Sequence, residues 1–472
     1  MPEAAAQDVL SETEALCPVC LRRLPARRVR RGDAVWLLRH CPEHGPAEAV
    51  IWRGAPAFES WRRPKTPSAP PVCSTGVERG CPFDCGLCPE HAQHTCTGVV
   101  EVTGRCNLCC PVCYASSGKD ASEPQAPGAE APGALQAMSE PSVPELAARL
   151  AELRRVAGGC NLQLSGGEPT CRDDLPEIVA AARPLGFGLV QVNTNGLRLA
   201  REPGYAERLA QAGLQSVFLQ FDGPDEACAI LRGRPLLAEK LRALDACGRA
   251  GLGVVLVPTL LRGVNDHALG DILRLGLSRS PVVRGVHFQP ASGFGRFALG
   301  MDESRRLTLP EVLTLLVEQS GGMLRAEDFH PPGCEHERCS FSARYAVRDG
   351  ALVPLAEGGC CGAGSPLSPL AVPSAAEGAR QAKASVARQW AAAAAPLAAP
   401  ARDDLERFLA NRGADKRFSV SCMAFQDAWT LDLERVRGCC IHTQAPDGRL
   451  VPFCLYNLTA VDGTTLYRGR GA

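Results

Sequence analysis

The segment Thr103-Gly-Arg-Cys106-Asn-Leu-Cys109-Cys110-Pro-Val-Cys113-Tyr114 places Cys106, Cys110 and Cys113 at C-x3-C-x2-C spacing within one short stretch. Thiolates hold iron–sulfur clusters, and a cubane usually takes four of them. Three thiolates from one loop leave one iron without a protein ligand, free to bind a small molecule. Zinc normally takes four ligands and is closed when structural, so zinc here would need a recruited fourth ligand. Cys109 also permits the triad Cys106, Cys109 and Cys113. Spacing alone favours iron–sulfur and leaves zinc open.

The same spacing occurs upstream in GCPFDCGLCPEHAQHTC, as Cys81, Cys85 and Cys88, with Cys96 able to supply a fourth thiolate. That set reads as a closed auxiliary cubane for electron relay or substrate placement, or as zinc using His91 or His94. Nearer the N-terminus, Cys17-x2-Cys20 and Cys41-x2-His44 form two knuckles about twenty residues apart, which suits one tetrahedral zinc or a rubredoxin-like iron. The last third of the chain carries Cys334, Cys339, Cys360, Cys361, Cys422, Cys439, Cys440 and Cys454, enough for one further cubane. Cys334, Cys339, Cys361, Cys422, Cys440 and Cys454 are the ligand candidates there, and the two adjacent pairs leave the set ambiguous. Cys73, Cys160, Cys171, Cys228 and Cys247 are isolated and read as ordinary buried thiols.

These motifs must be held by something. From Val99 to about Pro290 short apolar runs alternate with helix-like segments, the pattern of consecutive β–α units. Candidate strands are Val99–Thr103, Asn161–Ser165, Gly188–Asn193, Ser216–Phe221, Gly253–Pro258 and Gly285–Gln289. Between them lie helical stretches such as Val143–Val156, Leu175–Leu185, Ala206–Gly213, Leu236–Gly251 and His267–Leu277. The fold class is α/β, a partial TIM-like barrel of six units, flanked by small cysteine-rich N-terminal and C-terminal metal-binding domains. The divisions are 1–72 for the knuckle domain, 73–97 for the auxiliary segment, 98–292 for the barrel and 293–472 for the C-terminal domain. Ala121–Pro144 reads as a mobile insertion. Gly362–Ala401 reads as an Ala/Pro-rich linker, with a helix possible at Ala376–Ala395.

Composition excludes several classes. The 51 basic and 51 acidic residues cancel, so no net field argues for nucleic acid. No apolar run reaches membrane-span length and no signal sequence is evident. The 24 cysteines in 472 residues fall short of disulfide-scaffold density, which points to a reducing cytosol and to metal binding. The arginine-rich stretch between the knuckles reads as a solvated hairpin that could also face phosphate groups.

The second candidate strand runs into Ser165-Gly166-Gly167-Glu168-Pro169-Thr170, where adjacent glycines allow close approach to the backbone. C-x3-C-x2-C after the first strand with GGEP after the second resembles the radical S-adenosylmethionine (SAM) superfamily. The resemblance implies that Cys106, Cys110 and Cys113 bind a [4Fe–4S] cluster whose open iron chelates SAM, giving a 5′-deoxyadenosyl radical. It implies that Tyr114 sits against the adenine and that Gly166, Gly167 and Glu168 line the methionine end. It places Asn195, Gln220 and Asp222 where such enzymes contact SAM ribose or substrate; turn chemistry is an equal reading for Asn195-Gly196 and Asp222-Gly223. A glycine-rich GxIxGxxE pattern at strand five is missing its Glu in Val257–Asp266.

In order along nearly the whole chain, CPVC…CPEHG, GCPFDCGLCPEHAQHTC, VTGRCNLCCPVCYA, LSGGEPTCRDDLPEIV, LQFDG, SCMAFQDAWTLDLERVRGCC and DGRLVPFCLYN resemble the archaeal tetraether lipid synthases and the related class D radical SAM methylases. That resemblance implies one SAM-binding cluster, one or two auxiliary clusters, one mononuclear iron or zinc, and a reduced ferredoxin- or flavodoxin-type electron donor. The favoured reading is carbon–carbon coupling of lipid alkyl chains by a cytoplasmic enzyme with peripheral contact at the inner face of the membrane. The alternatives are class D methylation of a pterin-type or other small molecule, with a methylene-folate as carbon donor, and maturation of a peptide or protein. No cobalamin-binding domain is recognisable.

Overall fold

Leucine- and valine-rich runs of about strand length, separated by segments with helical periodicity, dictate a parallel sheet with helices on its outer face. The computed structural model describes residues 8–118, 140–297, 300–355, 372–391 and 416–469. The sheet begins only after a separate ribbon. That ribbon is a four-stranded antiparallel sheet of β1 (Asp8–Leu16), β2 (Arg23–Arg31), β3 (Ala34–Cys41) and β4 (Gly45–Arg53), paired in chain order. The β1–β2 and β3–β4 turns carry the two knuckles. The basic residues of the ribbon are met by acidic neighbours: Arg22 by Glu43, Arg31 by Glu48, Arg30 by Glu59, and buried Arg28 by Asp432 at 2.7 Å and by Glu434. The stretch expected to face solvent or phosphate groups is thus largely neutralised within the protein, and Arg28 docks the ribbon onto the C-terminal region.

The central sheet starts with β5 (Thr97–Thr103), whose following loop contains the two-residue β6 (Val112–Cys113). Then come β7 (Asn161–Gly166), β8 (Val190–Thr194), β9 (Ser216–Gln220), β10 (Gly253–Val257) with its short companion β11 (Thr259–Leu260), and β12 (Val283–Pro290). Neighbours β5–β7–β8–β9–β10–β12 pair in parallel. The strands read from the sequence are all present, within two residues at each end. The intervening helices are α1 (Val143–Ala157), α2 (Leu175–Ala182), α3 (Leu197–Arg201), α4 (Tyr205–Ala212), α5 (Asp225–Arg232), α6 (Leu237–Arg249) and α7 (Leu269–Ser278). Ser142 and Glu145 close a capping box on α1, and Gly158 ends that helix in the left-handed conformation. Leu146, Leu150 and Leu153 on one face of α1 are fully buried against Val100, Val102, Leu162 and Leu164 of the sheet.

The C-terminal third does not form a domain apart. After β13 (Arg296–Phe297), which pairs with β6, and α8 (Leu309–Gln319), come β14 (Ser340–Arg348), β15 (Ala351–Pro354), α9 (Ala375–Trp390), β16 (Lys416–Met423), β17 (Ile441–Gln444) and β18 (Leu450–Pro452). β16 adds in parallel to β12 and β17 adds in parallel to β5, so the last part of the chain extends both edges of the barrel sheet. β14–β15 and β18 continue those edges antiparallel. A boundary at 292/293 therefore cuts one hydrogen-bonded sheet. Most of the expected insertion Ala121–Pro144 and parts of the expected linker Gly362–Ala401 lie outside the described residues. Within the latter, α9 is a well-formed helix packed beside the sheet.

Candidate active site and metal centres

The C-terminal ends of β7, β8, β9, β10, β12 and β16 and the loop after β5 surround a cavity of about 290 Å³ that reaches down to Thr97 at the start of β5, opening at the face where β/α barrels carry their chemistry. Cys106, Cys110 and Cys113 all line it, from the loop after β5, whereas Cys109 is exposed. Burial pushes the Cys106 thiol up to about 12 and raises that of Cys110. A bound cation is what would hold such thiols as thiolates. The donor set thus fits a cluster with three protein thiolates and an iron facing the cavity.

Gly166 and Gly167 give their room to the protein itself. A Cβ on Gly166 would lie 2.2 Å from Thr103 O, at a φ of +127°, and one on Gly167 would lie 2.3 Å from Arg105 O. Gly167 N donates to Thr103 O and Glu168 N to Arg105 O, both at 2.8 Å. The glycines let β7 clasp the start of the cysteine loop, and only Gly167 reaches the cavity wall. Glu168, 1% exposed, accepts from Thr170 N, Thr170 Oγ1 and Thr194 Oγ1 on one oxygen and from Asn195 N at 2.6 Å on the other. Asn195 accepts from Leu197 N and donates to Asn107 Oδ1 at 2.7 Å, so its turn chemistry also anchors the cysteine loop. Tyr114 lies with its hydroxyl 2.8 Å from Ser165 Oγ and its ring 5.7 Å from Phe453. Arg468 lies over the Tyr114 ring and is itself held by Glu101.

Gln220 lines the cavity and donates to Asp222. Asp222 does not line it. It is fully buried, accepts from Nε at 2.7 Å and Nη2 at 2.9 Å along one edge of the Arg232 guanidinium, and accepts from Thr259 N. The expected cofactor contact at Asp222 is thereby corrected: its carboxylate is saturated and serves to aim Arg232. Arg232 lines the cavity and donates to Val112 O inside the cysteine loop. Lys240, wholly buried, donates to Asn195 O and Gln220 Oε1, and burial lowers it to about 8. Arg232, Lys240, His287 and Trp390 went unread in the sequence because each arrives by tertiary packing from a helix or strand without a motif around it.

The other cysteines sort into separate groups. In the ribbon, Cys20 Sγ and Cys41 Sγ lie 3.9 Å apart, and His44 Nδ1 lies 3.6 Å from Cys17 Sγ and 3.5 Å from Cys41 Sγ. Ligands at about 2.0–2.3 Å around tetrahedral zinc are separated by roughly 3.5–3.8 Å, so these four groups are already at ligand spacing. Cys81, Cys85 and Cys88 face one small void with Glu90, His91 and Arg437. Cys96 does not join them. Cys96 N donates to Cys440 O, and its sulfur meets Cys334 and Cys440 in a second buried group. The Cys96–Cys334 Cα separation of 7.3 Å, with the two sulfurs bonded, is wider than the roughly 4.4–6.8 Å usual for a disulfide, and the third thiol beside them fits a metal centre. Cys339 and Cys454 lie near Cys439, whose thiol is raised by burial and then by both neighbours. Cys422 is corrected: it is fully buried in the main apolar core on β16, away from the cysteine groups found among the described residues. Cys361 lies outside the described residues.

A model described as the radical SAM superfamily matches residues 100–276, and one described as the HMPTM N-terminal zinc ribbon domain matches residues 9–53. The 7,8-dihydro-6-hydroxymethylpterin dimethyltransferase of Methanocaldococcus jannaschii is 33% identical, over 94% of this chain and 93% of its own length. A probable GTP 3′,8-cyclase of Methanothermobacter thermautotrophicus is 30% identical over 41% of this chain and 58% of its own. The solved structure of methylornithine synthase aligns at 15% identity with a TM-score of 0.35, covering 48% of this chain and 64% of that one.

Proposed function

Because the chain belongs to the radical SAM superfamily and, through its full-length relative, to the family of the 7,8-dihydro-6-hydroxymethylpterin dimethyltransferase, we propose that it methylates a reduced pterin bearing a hydroxymethyl group. The observation that carries this reading is identity of 33% running through ribbon, barrel and C-terminal strands alike. It displaces the lipid-chain coupling favoured from sequence alone. Arg22, Arg28, Arg30 and Arg31 of the ribbon are taken up in ion pairs, and no described helix is long and apolar enough to cross a membrane.

As a radical SAM enzyme the protein uses a [4Fe–4S] cluster and SAM. Cys106, Cys110 and Cys113 hold the cluster in this proposal, with Tyr114, Gly167, Glu168, Asn195 and Gln220 as the walls around SAM. When bound, cluster and SAM supply a 5′-deoxyadenosyl radical able to take hydrogen from an unactivated carbon. The protein's own part is positional. Glu168 and Asn195 tie the ends of β7 and β8 to the cysteine loop, Arg232 places positive charge beside that loop, and Leu108, Val112, Val257 and Phe294 exclude water from the cavity. An electron arrives from a ferredoxin- or flavodoxin-type donor, and the other cysteine groups are auxiliary.

The test is an anaerobic reaction of iron-reconstituted, reduced protein with SAM, a methylene-folate and 7,8-dihydro-6-hydroxymethylpterin, followed by mass spectrometry. The expected product is pterin heavier by one or two methylene groups, with 5′-deoxyadenosine. Unchanged pterin beside host lipids that have joined with loss of hydrogen would return the assignment to lipid coupling.

A further inference from the structure

The foot of the cavity is built by a segment that the sequence presents as linker. α9 lies across the N-terminal ends of the barrel strands. Asn161 at the start of β7 donates to Lys383 O, Lys383 Nζ donates to Gly159 O, and Arg284 near the start of β12 donates to Gln389 O at 3.0 Å. The last residue of the helix, Trp390, enters the cavity and donates from its indole nitrogen to Ser419 Oγ. There it meets Phe218 of β9 and His287 of β12. The three ring centroids are 5.5 Å (Phe218–His287), 5.5 Å (Phe218–Trp390) and 5.9 Å (His287–Trp390) apart. The rings are mutually tilted by 39°, 41° and 63°, so each offers its own polarisable face or edge.

Above this floor the barrel wall is amide-rich. Gln163, Asn193 and Gln289 line the same cavity. Gln163 donates to Gln191, while Asn193 Oδ1 is buried with no hydrogen-bond partner. An orphaned buried acceptor costs free energy until a donor meets it. An alkyl chain brings no donor and would leave these carboxamides desolvated without return. A planar heterocycle with N–H and carbonyl groups on its edge satisfies them while its face stacks on the floor.

Resting on the pterin reading above, we propose that α9 is the substrate floor. Trp390, Phe218 and His287 hold the flat face of the pterin, and the carboxamides of Asn193, Gln163 and Gln289 read its edge. The helix thereby sets a compact heteroaromatic substrate against a long chain, which would need passage through the foot of the barrel that α9 closes.

The experiment measures anaerobic binding of 6-hydroxymethylpterin to the reconstituted full-length protein, followed by pterin fluorescence. Trp390→Ala, Trp390→Phe and Asn193→Leu are compared with wild type, each first matched to it in iron content and circular dichroism. Loss of stacking on an aromatic side chain predicts binding about 10- to 100-fold weaker for Trp390→Ala. Trp390→Phe should stay within about threefold because a flat face remains. Asn193→Leu should weaken binding about tenfold through loss of the edge contact. Wild-type affinity in both Trp390→Ala and Asn193→Leu overturns the floor and leaves pterin methylation standing. Absence of pterin binding by the wild type overturns both.

Discussion

Two segments of this protein share one spacing, C-x3-C-x2-C, and differ in everything around it. Cys106, Cys110 and Cys113 follow a buried parallel strand and face a cavity of about 290 Å³ shared with Tyr114, Glu168 and Gln220. Cys81, Cys85 and Cys88 sit in a strandless segment and face a void of about 10 Å³, room for roughly one water. Leu87, Glu90, His91, Val436, Arg437 and Pro452 wall that void. Tyr467 closes it further by donating to Pro82 O at 2.6 Å and accepting from Cys85 N. Spacing fixes how thiols can surround a metal. What the metal can do is fixed by whether the surrounding elements leave a second ligand somewhere to sit.

The largest effects separate the two segments outright. Replacing Cys106, Cys110 and Cys113 together with alanine should abolish 5′-deoxyadenosine formation, measured by chromatography after anaerobic reconstitution. The same replacement at Cys81, Cys85 and Cys88 should leave SAM cleavage in place while product formation falls away. Equal loss of cleavage in both variants would erase the distinction.

Charge beside the loop gives the next effect. Arg232→Met removes the guanidinium that bonds Val112 O, and should slow turnover about 10- to 100-fold, as loss of partners that orient metal ligands does. Its readout beyond rate is the cluster's reduction potential, which should fall as positive charge is removed. Asp222→Ala leaves Arg232 buried and unpaired, and should cost about 3–5 kcal/mol in denaturant unfolding.

The smallest effect concerns the cavity floor. Burial lowers His287 from 6.5 to about 4. The unfolded chain therefore takes up a proton that the folded chain resists, and stability is complete above about pH 6.5 and falls as pH drops toward 4. The contribution reaches up to about 3 kcal/mol. His287→Gln should flatten that part of the stability profile, measured by urea unfolding between pH 7 and pH 4.

The barrel was legible because burial on both faces forces apolar strand runs, as in Val99–Val100 and Val254–Val255–Leu256, and capping marks such as Ser142 with Glu145 bound the helices. The ribbon knuckles were legible because ligand and turn coincide. Cys96 was not, since its fate depends on β17: the Cys440 carbonyl draws its backbone away from Cys88. Cys422 looked like a ligand by proximity in sequence, but strand alternation turns it into the core. The edge strands β16 and β17 were hidden for the same reason, whereas α9 was legible as a helix near Ala376–Ala395 and only its place beneath the barrel was not. Each acquires its meaning from a barrel that closes far away in sequence.

The most direct test of the distinction between the two cysteine segments is electron paramagnetic resonance of the reduced cluster, with and without SAM, in the two triple variants. The variant that retains Cys106, Cys110 and Cys113 should change its spectrum when SAM is added, and the one that retains Cys81, Cys85 and Cys88 should not. A SAM-dependent spectrum in the second variant would contradict the account.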